Sequence, residues 1–255
     1  RELIESANRL EVIGRAGAGL NNIDTVAAQQ LGVAICNTPA ENSLAVAELV
    51  IGLMLTIARE LPAAISATAA GGWDRKRFTG VELYGKTLGL VGFGRIGQLV
   101  AHRAVAFGMK IVAHDDYLPQ DASVLQQLDV SLLGFHELLE VSNVVSCHVP
   151  LTAETRGMFN AAAFAKMQQG SWFINAARGE VVGEKALLAS LIAKHIGAAA
   201  LDVREVEPPA DAQSTGLASL NNVYLTPHMG AFTVESQTRV LERVCQDVAD
   251  VLGLK

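Results

Sequence analysis

The chain has 255 residues, half of them hydrophobic, which is enough for one large domain or two modest domains with a sizeable core. Its formal net charge is −6, and lysine and arginine form no extended stripe, which argues against a nucleic-acid partner. No apolar run reaches the length of a membrane span, so we expect no membrane partner either.

The three cysteines, Cys36, Cys147 and Cys245, have no short spacing of the kind that metal sites use. Two of them end apolar runs. This usage predicts buried, reduced thiols in a cytoplasmic protein, with neither disulfides nor a metal site.

The first 40 residues read as strand, helix and strand, over 10–13, 23–31 and 33–36. Two strands and one helix cannot bury both faces of a sheet, so this segment is expected to be part of a small domain. The chain does not begin with Met and opens within a helix-like stretch, so we expect the natural N-terminus to lie upstream.

A long apolar helix is predicted from Ser43, which would cap it, to Glu60, and Pro62 would end it. The helix is apolar on nearly all sides, so it should be buried between domains or between subunits. The segment that follows, 71–78, places Trp73 among basic residues in a predicted loop. This loop fits equally well an arm that reaches a second subunit and a surface loop that packs its own tryptophan.

From Lys86 onwards, apolar runs alternate with helical segments, which is typical of a parallel sheet covered on both faces. We therefore expect an α/β domain with a doubly wound parallel sheet over 41–232. A long amphipathic helix from residue 233 would return to the small domain, formed by 1–40 and 233–255. The predicted strands cover residues 88–91, 110–114, 129–132, 144–148, 171–175, 198–202 and 223–226.

An apolar strand turns through three glycines into a helix at Leu88–Gly97, and Asp115 follows eighteen residues after the last glycine. Gly92 would permit a tight turn, Gly94 would let the backbone approach a pyrophosphate, and Gly97 would let helix and strand pack closely. Asp115 would accept hydrogen bonds from ribose hydroxyls and repel a 2′-phosphate. The order and spacing predict a Rossmann site for NAD rather than NADP. The alternative is a structural turn in another α/β protein.

Three ionisable residues, Arg178, Glu207 and His228, follow successive predicted strands. Parallel sheets bind ligands at the carboxyl ends of their strands, so these side chains could converge on one site. They suit the oxidation of an alcohol, in which a nicotinamide takes the hydride and a histidine takes the proton. A carboxylate would fix the histidine tautomer, and an arginine would bind a substrate carboxylate. Singly, each residue also has an ordinary structural explanation.

Together these motifs resemble those of the D-isomer-specific 2-hydroxyacid dehydrogenases, most closely the members that act on 3-phosphoglycerate. The resemblance covers essentially the whole chain. The motifs are Arg15-Ala-Gly-Ala-Gly-Leu-Asn-Asn-Ile-Asp, Asn37-Thr-Pro, Gly85-Lys-Thr-Leu-Gly-Leu-Val-Gly-Phe-Gly-Arg-Ile-Gly, His148-Val-Pro-Leu-Thr, Asn175-Ala-Ala-Arg-Gly and Thr226-Pro-His-Met-Gly-Ala.

The resemblance implies that Arg178, Glu207 and His228 are catalytic, with the glutamate paired to the histidine. It also implies a homodimer or homotetramer and a smaller, flavodoxin-like substrate domain that lacks roughly fifty N-terminal residues here. Cofactor contacts are implied for Thr38, Gly92, Gly94, Arg95, Ile96, Gly97, Asp115, Pro150, Ala177, Asp202, His228 and Gly230, with Asp202 facing the nicotinamide carboxamide. Substrate contacts are implied for the backbone at Ala16 and Gly17, with Arg15 for an anionic group.

Two places depart from the family pattern. Arg204 stands where family members usually have phenylalanine. We expect it to point to solvent rather than to bind an anionic substrate group, because an exposed arginine needs no partner. Gln29 and Gln30 stand where the phosphoglycerate enzymes tend to carry basic residues, which weakens the case for a phosphorylated substrate.

The leading hypothesis is an NAD-dependent oxidoreductase acting on a D-2-hydroxy acid or 2-keto acid. 3-Phosphoglycerate, and hence serine biosynthesis, is the first candidate, and hydroxypyruvate, glyoxylate or another 2-keto acid is the alternative. A different kind of function is that of the NAD-sensing co-repressors related to this family. Such a protein would bind NADH without fast turnover of any 2-keto acid, but nothing in the chain marks a peptide-binding groove.

Overall fold

The computed structural model of the protein describes residues 1–20, 22–209 and 216–254. The chain divides into two compact units, Arg1–Val46 with Gly230–Lys255, and Ala47–Met229. These divisions fall a few residues from the predicted boundaries after residues 40 and 232. Asn21, in the first glycine motif, and Lys255, the last residue of the predicted small domain, lie outside the described residues.

The smaller unit contains a two-stranded parallel sheet and three helices within the residues described. Its strands are four residues long and begin together, with Val12 paired to Ala34. A Cβ atom on Gly14 would lie 2.7 Å from the Val248 side chain, so the first strand packs tightly on the last helix. The elements are α1 (Glu2–Ser6), β1 (Val12–Arg15), α2 (Thr25–Gln30), β2 (Ala34–Asn37) and α10 (Val234–Val251).

The larger unit is built on a seven-stranded parallel sheet, as the alternation of strands and helices predicted. Its strands are β3 (Thr87–Val91), β4 (Lys110–His114), β5 (Val130–Leu132), β6 (Val144–Cys147), β7 (Ser171–Asn175), β8 (Ile196–Leu201) and β9 (Val223–Leu225). The order across the sheet is β5-β4-β3-β6-β7-β8-β9, so the strand order reverses between β3 and β6. Ligands of doubly wound sheets bind at this kind of reversal.

Apolar side chains cover both faces of this sheet. Leu88 and Leu90 of β3 enter one buried cluster, while Val91 enters a second cluster that contains Phe159 and Phe173. The alternation follows from the geometry of a strand, in which successive side chains point to opposite faces. The remaining helices are α3 (Ser43–Arg59), α4 (Leu61–Ala69), α5 (Arg95–Ala106), α6 (Ser123–Gln127), α7 (Phe135–Val141), α8 (Ala161–Lys166) and α9 (Glu184–Ile192).

The long helix α3 is mostly buried as expected, and most of its apolar residues from Ala47 onward join the same core cluster as Leu88 in the larger unit. Its predicted position between domains or between subunits stays a prediction. Two predicted details of its ends are wrong. Ser43 is the first helical residue rather than the cap, and its hydroxyl meets no hydrogen-bond partner among the described residues. Glu60 ends the helix with a left-handed φ of 48°, and Pro62 instead lies in the first turn of α4.

The cysteines only partly follow the prediction of buried thiols. Cys147 is fully buried, and burial raises the pKa of its thiol to about 12. Cys36 is half-buried, whereas Cys245 is exposed because it lies on the polar side of the amphipathic helix α10. All three thiols are free. In the part of the chain that the structure describes, no helix is long and apolar enough to cross a membrane.

Candidate active site

The glycine turn after β3 has the shape that its sequence predicts. Gly92 has a φ of +95°, and a Cβ atom there would lie 2.7 Å from the His148 backbone. A Cβ atom on Gly97 would lie 2.3 Å from the Gly92 carbonyl oxygen, so α5 starts in contact with the turn. A Cβ atom on Gly94 would instead meet no atom within 4 Å. The turn is therefore crowded on its protein side and open at Gly94.

Asp115, just beyond β4, is hydrogen-bonded to this turn. Its Oδ2 accepts a bond of 2.8 Å from the Phe93 backbone N–H, and its Oδ1 accepts one of 3.0 Å from the Tyr117 N–H. The carboxylate thus joins the end of β4 to the glycine turn. It is half-buried, so part of it remains open to a ligand.

These residues fit the adenosine and pyrophosphate parts of NAD. The N-terminal amides of α5, at Arg95 and Ile96, lack a side-chain cap and lie next to the open space at Gly94. Free amides at a helix N-terminus favour phosphate groups. Asp115 would hold the adenosine ribose, and its charge disfavours a second phosphate there.

Glu207 and His228, predicted from separate strand ends, are brought together in the structure. His228 Nδ1 lies 2.6 Å from Glu207 Oε2. The His228 side chain is half-exposed, and that of Glu207 is about one-third exposed. Because Nδ1 faces the carboxylate, Nε2 is the ring nitrogen left to meet a substrate.

His228 has a left-handed φ of 51°, which a non-glycine residue rarely adopts. The buried carboxylate of Asp202, at the end of β8, holds this turn. Asp202 Oδ1 accepts bonds from the Thr226 hydroxyl at 2.6 Å and from the Met229 N–H at 2.9 Å, on either side of the histidine. The Asp202 carbonyl also accepts the His228 N–H at 2.8 Å. The sequence did not reveal this supporting role of Asp202.

Arg178 follows β7 in a short turn that the buried side chain of Asn175 holds. The Asn175 amide donates to the Arg178 carbonyl at 2.9 Å and accepts the Ala177 N–H at 3.0 Å. The Arg178 guanidinium donates to the Ala177 carbonyl at 2.7 Å, and no acid within the described residues pairs with it. Its remaining donors are therefore available to an anion.

The turn of Arg178 and the loop of Glu207 touch through their backbones. A Cβ atom on Gly179 would lie 1.7 Å from the Arg204 carbonyl oxygen, so only glycine allows this approach. The two loops that carry Arg178 and Glu207 are therefore adjacent, although no hydrogen bond between described residues joins Arg178 to Glu207 or His228.

The prediction that Arg204 points to solvent is wrong. Its side chain is 9% exposed, and its guanidinium makes two bonds to the buried Glu184 carboxylate, at 2.9 and 3.0 Å. Neither solvent nor a substrate anion is needed to explain it. The burial depends on Glu184 at the start of α9, a partner that the local sequence around Arg204 does not indicate.

The other predicted contact residues lie on loops of both units. In the smaller unit, buried Thr38 accepts the Gly17 N–H at 2.9 Å, and Arg15 donates to the Ala16 carbonyl. Gly230 begins the second segment of that unit. In the larger unit, Pro150 and Ala177 follow β6 and β7, at the same edge as the glycine turn.

His148, at the end of β6, is a neutral residue at physiological pH. Its Nε2 lies 2.9 Å from the Ser146 hydroxyl, and burial lowers its pKa to about 4. It lies directly behind the glycine turn, since its backbone excludes a side chain at Gly92. This makes it part of the support of the turn.

Comparison with known proteins decides the family. A family model for the D-isomer specific 2-hydroxyacid dehydrogenase, NAD binding domain, matches residues 51–230. The chain belongs to this family. The larger unit is therefore an NAD-binding domain, as its glycine turn predicted.

Similar proteins in this family differ in their substrates. The chain is 46% identical over 253 residues to a D-3-phosphoglycerate dehydrogenase of Methanocaldococcus jannaschii, covering 99% of this chain and 47% of that protein. It is 44% identical over 253 residues to a hydroxypyruvate reductase of Thermotoga maritima, covering 99% of this chain and 81% of that one. The chain thus spans about half the length of the phosphoglycerate dehydrogenase, and identity alone does not select between the two substrates.

A solved structure with a similar fold is D-lactate dehydrogenase from Aquifex aeolicus, complexed with NAD and lactic acid. It superposes with a TM-score of 0.86 at 31% identity, covering 99% of this chain and 80% of the enzyme. The doubly wound architecture is therefore that of known 2-hydroxyacid dehydrogenases.

His148 should make the protein sensitive to acid. Its pKa is about 4 in the folded chain and 6.5 ordinarily, so the unfolded chain binds the proton first and stability falls as pH drops from 6.5 towards 4. Between pH 7.5 and 5 its share of the loss is roughly 2 kcal/mol of unfolding free energy. Urea titrations should show a smaller acid loss for His148→Gln than for the wild type. A variant of exposed His136 is the control, and equal losses in all three proteins would contradict the prediction.

Proposed function

We propose that the protein is an NAD-dependent dehydrogenase that interconverts a D-2-hydroxy acid and its 2-keto acid. The observation that carries this proposal is the His228–Glu207 pair, with 2.6 Å between Nδ1 and Oε2, beside the turn of Arg178. All three residues follow the carboxyl ends of strands in an NAD-binding sheet. Bound NAD supplies the hydride acceptor, or as NADH the donor.

His228 is proposed as the general acid and base. In the oxidation its Nε2 accepts the proton of the substrate hydroxyl as the C–H bond gives up its hydride. The imidazolium that forms is stabilised by the Glu207 carboxylate on Nδ1, which also keeps the ring in the required tautomer. In the reduction the same proton returns from Nε2 to the carbonyl oxygen.

Arg178 is proposed to bind the substrate carboxylate. A guanidinium presents paired donors that match the two oxygens of a carboxylate. One Arg178 donor is occupied by the Ala177 carbonyl, which fixes the direction of the group and leaves the other donors for the substrate. Binding at this point would hold the neighbouring carbinol carbon in one orientation.

3-Phosphoglycerate is proposed as the substrate, and hydroxypyruvate is the main alternative. The first choice is supported by the likeness to D-3-phosphoglycerate dehydrogenase over 253 residues and by Arg15, a cation available to an anionic group. The alternative is supported by the reductase at 44% identity and by the uncharged Gln29 and Gln30. A phosphorylated substrate would place the enzyme in serine biosynthesis.

The activity and its residues can be tested together. NADH oxidation by the full-length protein should be measured with phosphohydroxypyruvate, hydroxypyruvate, glyoxylate, pyruvate and 2-ketoglutarate. With the best substrate, His228→Ala should lower kcat by about 10²–10⁴-fold, because a general acid and base is lost. Arg178→Ala should lower kcat/KM sharply, because substrate orientation is lost. Both variants should bind NADH like the wild type.

The matched control is His136→Ala, which removes an exposed histidine from the same unit and should leave turnover unchanged. Near-normal turnover in the His228 or Arg178 variant would contradict the assigned roles. NADH binding without turnover of any of the five acids would favour an NAD-sensing binding protein instead.

Asp115 should set the preference for NAD over NADP. Asp115→Asn keeps an acceptor for the Phe93 N–H but removes the charge that repels a 2′-phosphate. The ratio of kcat/KM with NADH to that with NADPH should therefore fall in this variant. Asp121→Asn, an exposed acid in the same region, is the control. An unchanged ratio for Asp115→Asn would exclude Asp115 as the ribose ligand.

We also propose that the protein is a homodimer or a dimer of dimers, joined through α4 and the loop that follows it. Helix α4 has no buried residue although it is rich in apolar side chains. Ile65, Trp73 and Tyr84 are 65%, 82% and 77% exposed, so the loop does not pack its own tryptophan. Exposed apolar surface of this kind is typical of a protein interface.

Light scattering after size exclusion should give the mass of a dimer or tetramer for the wild type. Ile65→Ser with Trp73→Ser should lower that mass, because the apolar contact is lost. The control is Tyr117→Ser, which alters an aromatic side chain that is 91% exposed outside this segment. An unchanged mass in the double variant would contradict this interface.

A further inference from the structure

The pair Glu184–Arg204 is the most deeply buried ion pair among the described residues. The side chains are 3% and 9% exposed, and two parallel bonds of 2.9 and 3.0 Å join the guanidinium to the carboxylate. Two-pronged contacts of this kind fix the relative orientation of both groups. The pair therefore locks the loop that contains Arg204 to the first turn of α9.

Glu184 holds the backbone of this loop as well as the arginine side chain. Its Oε1 also accepts the Glu205 N–H at 2.8 Å. A single carboxylate thus fixes two consecutive residues of the loop. The loop has little regular structure of its own between Leu201 and Pro209, so these bonds decide its path.

Arg204 in turn holds Glu207, the carboxylate that pairs with His228. The Arg204 N–H donates to Glu207 Oε1 at 2.7 Å, while Glu207 Oε2 faces His228 Nδ1. One oxygen of Glu207 is therefore fixed by the anchored backbone and the other by the histidine. Any shift of Arg204 would move the carboxylate away from the ring.

Arg204 also contacts the turn of Arg178. Its carbonyl oxygen occupies the space that a side chain at Gly179 would need. Arg204 is thus in contact with three elements at once, namely α9 through Glu184, the Glu207 carboxylate, and the turn after β7.

Stability alone is a poor explanation for the pair. Removing two charges from water costs about as much as their attraction returns, so a buried pair can often be replaced by apolar residues without loss of stability. Among the described residues, by contrast, the bonds of the pair fix the loop that presents Glu207. The pair therefore fixes the orientation of the loop that carries Glu207.

We propose that Glu184 and Arg204 are positioning residues that hold Glu207 in bonding distance of His228. They touch neither substrate nor cofactor in this proposal, and they act through the loop of residues 204–207. The inference rests on the proposed dehydrogenase function for its kinetic consequence. Its structural consequence, the orientation of the His228 ring, does not depend on that function.

The test uses the full-length protein with the double variant Glu184→Gln/Arg204→Met. The glutamine keeps an acceptor for the Glu205 N–H, and the methionine keeps buried volume without a charge. We expect kcat to fall about tenfold, as small misplacements of catalytic groups do, with NADH affinity and KM changed less than twofold. The pH midpoint of kcat should move to lower pH, because a loosened carboxylate stabilises the imidazolium less.

A second readout needs no turnover. The imidazole ¹⁵N resonances of His228, assigned by comparison with His228→Ala, report which ring nitrogen carries the proton. They should show one fixed tautomer in the wild type and a mixture in the double variant. Arg204→Lys keeps the charge but loses the two-pronged contact, so its ¹⁵N resonances should lie between those of the wild type and the double variant. If the double variant does not fold, Arg204→Lys replaces it in the test.

The matched control is Glu140→Gln/Lys166→Met, which removes an exposed ion pair of 2.7 Å from the same unit. A folded Glu184/Arg204 double variant with wild-type kcat, pH midpoint and ¹⁵N resonances would overturn the proposal. If the wild type turns over none of the keto acids, the dehydrogenase function fails. The resonances of the wild type and the variants then decide the positioning role by themselves.

Discussion

The candidate site depends on one constraint, the parallel direction of all seven strands of the larger unit. Every strand ends at the same edge of the sheet, so loops far apart in the sequence leave from neighbouring points. The loops that contain Arg178, Glu207 and His228 follow β7, β8 and β9, which are adjacent in the sheet. The three loops lie close together because their strands are neighbours in the sheet. Their convergence follows from strand direction and strand order.

Strand direction brings the loops together, but buried polar side chains give them their shape. Asn175 holds the turn of Arg178, Asp202 holds that of His228, and Glu184 holds the loop before Glu207. Each of these side chains is buried and bonds to backbone N–H or C=O groups of its loop. These bonds satisfy the buried polar side chain and limit each loop to one path. The left-handed backbone of His228 persists for this reason.

Most of the fold could be predicted from the sequence, because it rests on local patterns. All seven strands of the main sheet were expected within two residues of their observed ends, since buried parallel strands are short apolar runs between helices. The glycine turn was equally predictable, because Gly92 and Gly97 each meet a local steric need. Arg204 was misplaced because its burial depends on Glu184, twenty residues away, and no local pattern signals such a pair. The caps of α3 were misjudged because tertiary packing settles how a helix begins and ends. The exposure of Cys245 instead follows from its place on the polar side of the amphipathic helix α10.

The hydrogen bonds of Asp115 bear on the thermodynamics of cofactor binding. Both carboxylate oxygens already accept backbone N–H groups, so the side chain is held in one rotamer before any ligand arrives. Each oxygen has a second lone pair, and ribose hydroxyls could use it without breaking a bond that is present. Association would then require little loss of side-chain entropy and little rearrangement of the glycine turn. Such a site is preorganised, so the free energy of its polar contacts goes into affinity rather than into ordering the protein.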